Sequence, residues 1–323
     1  MKAAVLHHFG DIPRYEDFPD PTPGEEEIVV QVKAVALENF DRVLAKGTHY
    51  ANGQFLPTLP AIMGTDGIAL REDGQLIGFG GLRSPYGSMA EKAVVPKKHC
   101  VPIPEGVDAA TAATVPASTM TALFALKYGA KLQPDETVLI HGATGFAGTL
   151  AVQVAKFLGA QRVIGTGRNA AQLTKLRELG ADAVINLKQS DEALVEAFKQ
   201  EAGASGYQVI LDFVWGHPTE LLLEALVPHE LSFARRRMRL VQIGEMAGPT
   251  IALPAQALRT SGLELLGAGS GITPEAVASG TQQMWEWIKA GKLQADIEQV
   301  LLKDVESAWK STGVSSKRTV IVP

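Results

Sequence analysis

Residues Thr137 to Asn169 read TVLIHGATGFAGTLAVQVAKFLGAQRVIGTGRN, and this stretch decides the architecture of the chain. Val138-Leu139-Ile140 is a short apolar run led in by Pro134-Asp135 and closed by Gly142, the pattern of a strand buried on both faces. A glycine-rich turn follows directly. Leu150, Val154, Phe157 and Leu158 then recur at helical spacing until Gly159, and Arg162 to Thr166 forms a second apolar strand. The whole predicts one β-α-β unit.

The turn itself, Ala143-Thr144-Gly145-Phe146-Ala147-Gly148, is an A-x-G-x-x-G version of a dinucleotide fingerprint. Gly145 would let backbone N–H groups approach a pyrophosphate at the positive end of the helix, and Gly148 would let that helix press on the strand. Ala143 in the first slot departs from the glycine pattern and is expected to widen the turn. The second strand should end beside the adenine ribose, where an enzyme using NADH carries an acid about twenty residues past the glycines. Nineteen residues after Gly148 stands Gly167, within Gly165-Thr166-Gly167-Arg168-Asn169. A glycine leaves room for a 2′-phosphate, Arg168 can pair with it, and Thr166 and Asn169 offer neutral donors, so NADPH is the expected cofactor. The alternative is that Arg168 is a solvated residue at the start of the next helix.

Outward from this unit the chain changes texture twice. Lys2 to Leu6, Glu27 to Ala36 and Glu91 to Val95 read as strands, separated by turn chemistry at Asp20-Pro-Thr-Pro-Gly24 and Glu72-Asp-Gly74. From Asp108 the spacing becomes helical. Beyond Val138, strands at 183–186, 209–214, 239–243 and 263–266 alternate with helices at 172–179, from Ser190, and at 219–226, which predicts a doubly wound parallel sheet. The helix 275–290 and the closing strand 319–322 are expected to return to the first domain. The predicted division is 1–118 plus 268–323 for a β-rich catalytic domain and 119–267 for a dinucleotide-binding domain.

With 323 residues and 46% hydrophobic content, the chain can bury two cores. A net charge of −5 leaves no surplus of Lys and Arg for a nucleic-acid partner. Arg235-Arg236-Arg237-Met238-Arg239 reads as a solvated lead into a strand. The single cysteine, Cys100, fits a reducing compartment, and the apolar run before His7-His8 is too short for a signal or a membrane span. A cytoplasmic location with no membrane partner is the expectation. His141 reads as a strand residue satisfied by its neighbours.

Four further segments in order carry a family resemblance: Gly64-Thr65-Asp66-Gly67, Tyr86-Gly87-Ser88-Met89-Ala90-Glu91, Ala112-Ala113-Thr114-Val115-Pro116 and Leu179-Gly180-Ala181-Asp182. With the glycine turn they make the whole chain resemble the medium-chain dehydrogenase/reductase family, and within it the zinc-independent quinone and enone reductases. The resemblance implies a Rossmann domain inserted into a GroES-like domain that the C-terminal segment completes. It also implies hydride transfer from NADPH to a quinone or an α,β-unsaturated carbonyl. In zinc-dependent members of the family a Cys stands three residues before the position of Asp41, a His directly after that of Gly64, and a second Cys near Ala117. Here those slots hold Glu38, Thr65 and Ala117, which do not build a zinc site, so no metal is expected.

The same resemblance points to Glu38, Asn39, Tyr50 and Tyr86 as the substrate side and to Thr121 as a nicotinamide contact. Each has a plainer reading: Asn39 caps a turn, Tyr50 packs under its loop, Glu38 is partly solvated and Thr121 packs its helix. Glu38, if buried beside the nicotinamide, would be a proton donor. Asp66 reads as structural. Leu263-Glu264-Leu265-Leu266 is expected to be an edge strand covered by a second copy, giving a homodimer. An alcohol dehydrogenase-like enzyme and a non-catalytic NADPH-binding redox sensor remain the alternatives.

Overall fold

The computed structural model describes residues 1–227, 237–311 and 316–323. The chain begins with β1 (Lys2–Leu6), β2 (Arg14–Asp17) and the ten-residue β3 (Glu27–Ala36), followed by α1 (Asn39–Lys46) and the short α2 (Asn52–Phe55). Next come β4 (Ala61–Ile62), β5 (Asp66–Leu70), β6 (Leu76–Gly80), β7 (Lys92–Pro96) and β8 (Val101–Pro102). The long α3 (Ala109–Leu123) leads into β9 (Thr137–His141), α4 (Phe146–Phe157), β10 (Arg162–Gly167), α5 (Ala170–Glu178), β11 (Ala183–Asn186) and α6 (Asp191–Ala202). Then follow β12 (Val209–Asp212), α7 (Gly216–Leu226), β13 (Met238–Gln242), α8 (Ala255–Thr260), β14 (Leu263–Gly267) and α9 (Pro274–Lys289). The chain closes with β15 (Asp296–Leu301), α10 (Val305–Lys310) and β16 (Lys317–Val322).

The described residues form two compact units. The first comprises 1–116, 296–311 and 317–323 and the second 117–295. The division falls inside α3 at Pro116, which has no N–H for the helical ladder. The expected return at residue 268 is therefore corrected. α9 stays with the second unit, because Trp287 is buried among Val152, Ala155 and Leu126. Only from Asp296 does the chain rejoin the first. By length and apolarity alone Ala109–Gly129 could cross a membrane. Ala122, Leu123, Ala125 and Leu126 instead sit fully buried in the core of the second unit.

In the first unit β3 is the hub. Its alternating burial, Val30 and Val32 inside with Gln31 and Lys33 outside, is the period of a half-buried strand. It pairs antiparallel with β7 along residues 27–31, with β5 further on and with β16 at Val35 and Ala36. The sheet order is β15-β16-β3-β5-β6-β8, and a separate three-stranded sheet runs β2-β1-β4. Leu44, Met63, Phe79, Met89 and Trp309 fill the core between them.

The second unit carries six parallel strands in the order β11-β10-β9-β12-β13-β14. β9 is buried at all five positions, and its faces divide cleanly. Val138 and Ile140 pack with α4, α5 and α9, while Leu139 packs with α6 and α7 through Leu194, Phe198 and Leu222. Strands with helices on both faces must be apolar throughout, which is why these segments lack alternation. Truncating Leu139 to Ala would cost about 2–5 kcal/mol. β14 is an edge, as expected.

The basic cluster differs from its sequence reading. Residues 235 and 236 lie outside the described residues. Arg237 pairs with Glu264 across β13 and β14 at 2.5 Å, and Arg239 is buried, ion-paired with Glu136 and donating to the carbonyl of Ala130. Arg239 ties the start of β13 to the loop before β9 instead of standing in solvent.

Candidate functional site: a glycine turn and a carboxyl cluster

The first intrahelical hydrogen bond of α4 runs from the N–H of Thr149 to the carbonyl of Gly145, which caps the helix without a side chain. The amides of Ala147 and Gly148 precede that bond, so they are among the groups an anion at the positive helix end would take. Gly148 is glycine for packing. A Cβ there would lie 2.5 Å from the carbonyl oxygen of Gly142 and 2.6 Å from the Cα of Ala143. A Cβ on Gly145 would meet nothing closer than 3.8 Å, so that face of the turn is open. Gly142 supplies the positive φ of +91° that starts the turn.

Ala143 does not widen the turn. It is fully buried, its methyl faces Gly165 on β10, and its N–H donates to the carbonyl of Thr166 at 2.7 Å. Thr166 is likewise turned inward and fully buried: its Oγ1 accepts from the N–H of Gly142 at 3.0 Å and lies 2.9 Å from His141 Nδ1. It therefore braces the turn from behind and is no donor to a phosphate, a correction to its sequence assignment. Thr144, 7% exposed, lies against Gly167. Arg168 and Asn169 are exposed at the strand end, and the Asn169 side chain caps α5 by accepting from the N–H of Gln172 at 3.2 Å. Phe146 is buried at the start of α4. The structure thus brings the turn and the end of β10 together, with Gly145, Ala147, Arg168 and Asn169 facing outward. These residues fit a dinucleotide, since the turn is open only where a Cβ is missing.

His141 is more than a satisfied strand residue. Burial holds its imidazole below its usual range, with Asp212 opposing, and its Nε2 is buried without a partner among the described residues. Asp212, opposite His141 in the sheet, is fully buried. Its Oδ1 accepts from the N–H groups of Val214 and Trp215 at 2.8 and 3.0 Å, and its Oδ2 accepts from Thr219 Oγ1 at 2.7 Å. Asp212 thereby fixes the loop leaving β12. Thr121 is half-buried on α3, its hydroxyl donating to the carbonyl of Ala117 at 2.9 Å and its lone pairs left to accept.

In the first unit Glu38, not Asn39, is the N-cap of α1. The Glu38 N–H donates to Asp41 Oδ2 at 2.8 Å, and the Glu38 carboxylate faces Arg318 of β16 at 3.7 Å. Asn39 is the exposed first residue of the helix. The carboxyls pushed upward are the neighbours of Glu38. Burial raises Asp41 to about 8, and desolvation with the Glu38 charge beside it raises Asp66 to about 6. Among the described residues no group of three His, Cys, Asp or Glu is placed to hold a metal ion.

Tyr86 and Tyr50 part company. Tyr86 lines a half-enclosed cavity of about 250 Å³ with Phe55, Leu56, Met63 and Thr65. Tyr50 is 96% exposed, tilted over His49 at 4.2 Å, and takes no part in that cavity, so neither its pocket assignment nor packing under the loop holds. Sequence reasoning missed Phe55 and Met63 as cavity walls, Arg318 as the partner of Glu38, and Asp212. Asp212 had a signal: a lone charge inside an apolar strand run asks for a partner.

A family profile described as zinc-binding dehydrogenase matches residues 147–289, from α4 through α9. The slots Glu38, Thr65 and Ala117 lie outside that span, so the match concerns the nucleotide-binding unit. Quinone oxidoreductase-like protein 2 of Bos taurus is 29% identical over 298 residues, covering 85% of this chain and 80% of its own length. Trans-enoyl reductase pgmF of Aspergillus terreus is 27% identical over 309 residues, covering 89% and 82%. The crystal structure of the quinone oxidoreductase from Thermus thermophilus, solved also in complex with NADPH, superposes with a TM-score of 0.78 at 28% identity and covers 100% of both chains. Turn, strand order, split first unit and these likenesses agree, and together they support a quinone oxidoreductase of the medium-chain dehydrogenase/reductase family.

Proposed function

We propose that the protein is a zinc-independent reductase that transfers a hydride from NADPH to a quinone or an α,β-unsaturated carbonyl, working as a cytoplasmic homodimer with no membrane or nucleic-acid partner. The observation that carries the reading is the end of β10, where Gly167 stands in place of an acid and the exposed Arg168 follows it beside the open glycine turn. A 2′-phosphate would meet a guanidinium there and no carboxylate. Relatives named as quinone oxidoreductases and as a trans-enoyl reductase support the two acceptor classes.

When bound, the nicotinamide supplies a hydride, that is, two electrons and one hydrogen nucleus. The residues of this chain supply the rest. The α4 N-terminus would hold the pyrophosphate, and Thr121 would offer an acceptor to the carboxamide. An electron-poor acceptor carbon takes the hydride, negative charge moves to the carbonyl oxygen, and one proton completes the reduction. No Lewis acid is needed for this direction, and Glu38, Thr65 and Ala117 are poor zinc ligands as a set. In this reading the first unit is GroES-like and the second binds the cofactor.

The test is NADPH consumption with a panel of quinones, enones and aldehydes, with and without a chelator, followed by product analysis. Turnover of quinones or enones that survives chelation is expected. Aldehyde-alcohol exchange abolished by chelation would instead indicate an alcohol dehydrogenase, and tight NADPH binding without any turnover a redox sensor.

A further inference from the structure

We infer that the cavity of the first unit is the acceptor site and that it selects small, uncharged, planar acceptors, namely quinones and cyclic enones of one or two rings without ionised substituents. This rests on the reductase reading above and deepens it. A cavity of about 250 Å³ exceeds the roughly 150 Å³ that suffices for a benzene ring but falls below the range of about 300–1,000 Å³ typical of sites for larger ligands. Its volume therefore suits one ring or two fused rings.

The walls define the charge class. Phe55, Leu56 and Met63 present apolar surface, Tyr86 an aromatic edge, and Thr65 and Ser84 hydroxyls. None of the lining residues carries a charge. A carbonyl oxygen can accept from the hydroxyls, whereas a carboxylate or sulfonate would lose its hydration with no cation in reach.

Most of the wall cannot give way. Met63 is 1% exposed, its N–H donates to the carbonyl of Ala4 at 3.0 Å, and its carbonyl accepts from Met89 at 2.8 Å. Behind it, a Cβ on Gly87 would lie 2.2 Å from the carbonyl oxygen of Ile62 and 2.4 Å from that of Met63, so these two segments are in backbone contact. Phe55 is the exception. It ends the four-residue α2, is 37% exposed, and leans edge-on against Phe40 at 5.3 Å. Phe55 is thus the side chain that sets the size limit.

The experiment compares kcat/KM, with NADPH as donor, for 1,4-benzoquinone, 1,4-naphthoquinone, 9,10-phenanthrenequinone and 1,2-naphthoquinone-4-sulfonate, in the wild type and in Phe55→Ala. The one- and two-ring neutral quinones should exceed the three-ring and sulfonated ones by about tenfold or more. Phe55→Ala should close the three-ring gap and leave the sulfonate poor. Equal use of all four, or an unchanged ranking in Phe55→Ala, overturns the inference. A second readout separates it from the reductase reading: the 13C-methyl resonance of Met63, assigned with Met63→Leu, should shift saturably when 1,4-naphthoquinone is added. A shift without turnover upholds the cavity and removes the reductase. Turnover with Met63 unmoved does the reverse.

Discussion

Thr144 closes directly on Gly167: a Cβ at position 167 would lie 2.2 Å from Thr144 Cγ2 and 2.5 Å from its Oγ1. The glycine is there for the threonine as much as for a phosphate. Gly167→Asp alone should therefore disturb the turn and weaken NADPH and NADH together. Thr144→Gly/Gly167→Asp, which removes the obstructing side chain, should favour NADH. Arg168→Ala should weaken NADPH about tenfold to a hundredfold, the equivalent of roughly 1.5–3 kcal/mol, and leave NADH nearly unchanged. Fluorescence titration with both cofactors measures all three variants; equal losses from Arg168→Ala would refute the phosphate assignment.

The link from His141 Nδ1 to Thr166 Oγ1, at 2.9 Å, should stiffen the turn and make stability sensitive to acid. Burial lowers the folded-state pKa of His141, so the unfolded chain binds the proton more readily. Its contribution is complete above about 6.5 and falls as pH drops below that value. Thermal melts from pH 7.5 to 5 should show His141→Asn losing less stability than the wild type. His141→Leu should raise the Kd for NADPH, at a cost of about 1–3 kcal/mol for the broken buried hydrogen bond, with His141→Asn intermediate. Parallel melting curves for wild type and His141→Asn would argue against a neutral, buried histidine.

Asp41 works in the opposite sense. Its folded-state pKa is raised to about 8, so the folded chain keeps the proton while the unfolded chain releases it near 3.8. Stability is greatest below the unfolded value and declines as pH rises toward about 8, by at most about 1.4 kcal/mol per pH unit. Asp41→Asn keeps an acceptor for the N–H of Glu38 and has no proton to lose. Its melting temperature relative to the wild type should climb between pH 5 and pH 8, and a difference that stays flat across that range would exclude a protonated Asp41.

A homodimer built through β14 predicts that one charge at the edge separates the subunits. Leu265 is 41% exposed on that strand. Light scattering should give a dimeric mass for the wild type and a monomeric one for Leu265→Lys. A monomeric wild type at micromolar concentration would remove the proposal.

The nucleotide-binding sheet was legible because its physics is local. β9 to β14 are short apolar runs bounded by glycine and capping residues, and Asn169, Ser190 and Thr273 do cap the helices that follow. The placement of α9 was not legible: its apolar stripe shows that it packs, but not whether Trp287 meets α4 or the first unit. Within the site, type and spacing located the turn but not its directions. Ala143 and Thr166 belong to it, yet both face inward, because hydrogen bonds between strand ends depend on register that no motif states. The cavity was hidden for a related reason. Its walls come from segments near 55, 63 and 86, joined only by tertiary packing, and Tyr50 looked equivalent to Tyr86 until burial separated them.

β3 depends on a partner that is made very late. The pairing of Val35 and Ala36 with β16 joins residues almost three hundred positions apart, while every strand of the six-stranded sheet lies within 137–267. At about 5–20 residues per second, translation from residue 116 to residue 295 takes roughly 10–40 s. During that interval the end of β3 at Val35 and Ala36 lacks its β16 neighbour, whereas the later unit can already close its sheet on the ribosome. Order of completion is therefore the reverse of order of synthesis. Nascent chains halted after residue 295 should yield a protease-resistant fragment from the inserted unit, with the β3 segment still cleavable until the last strand emerges.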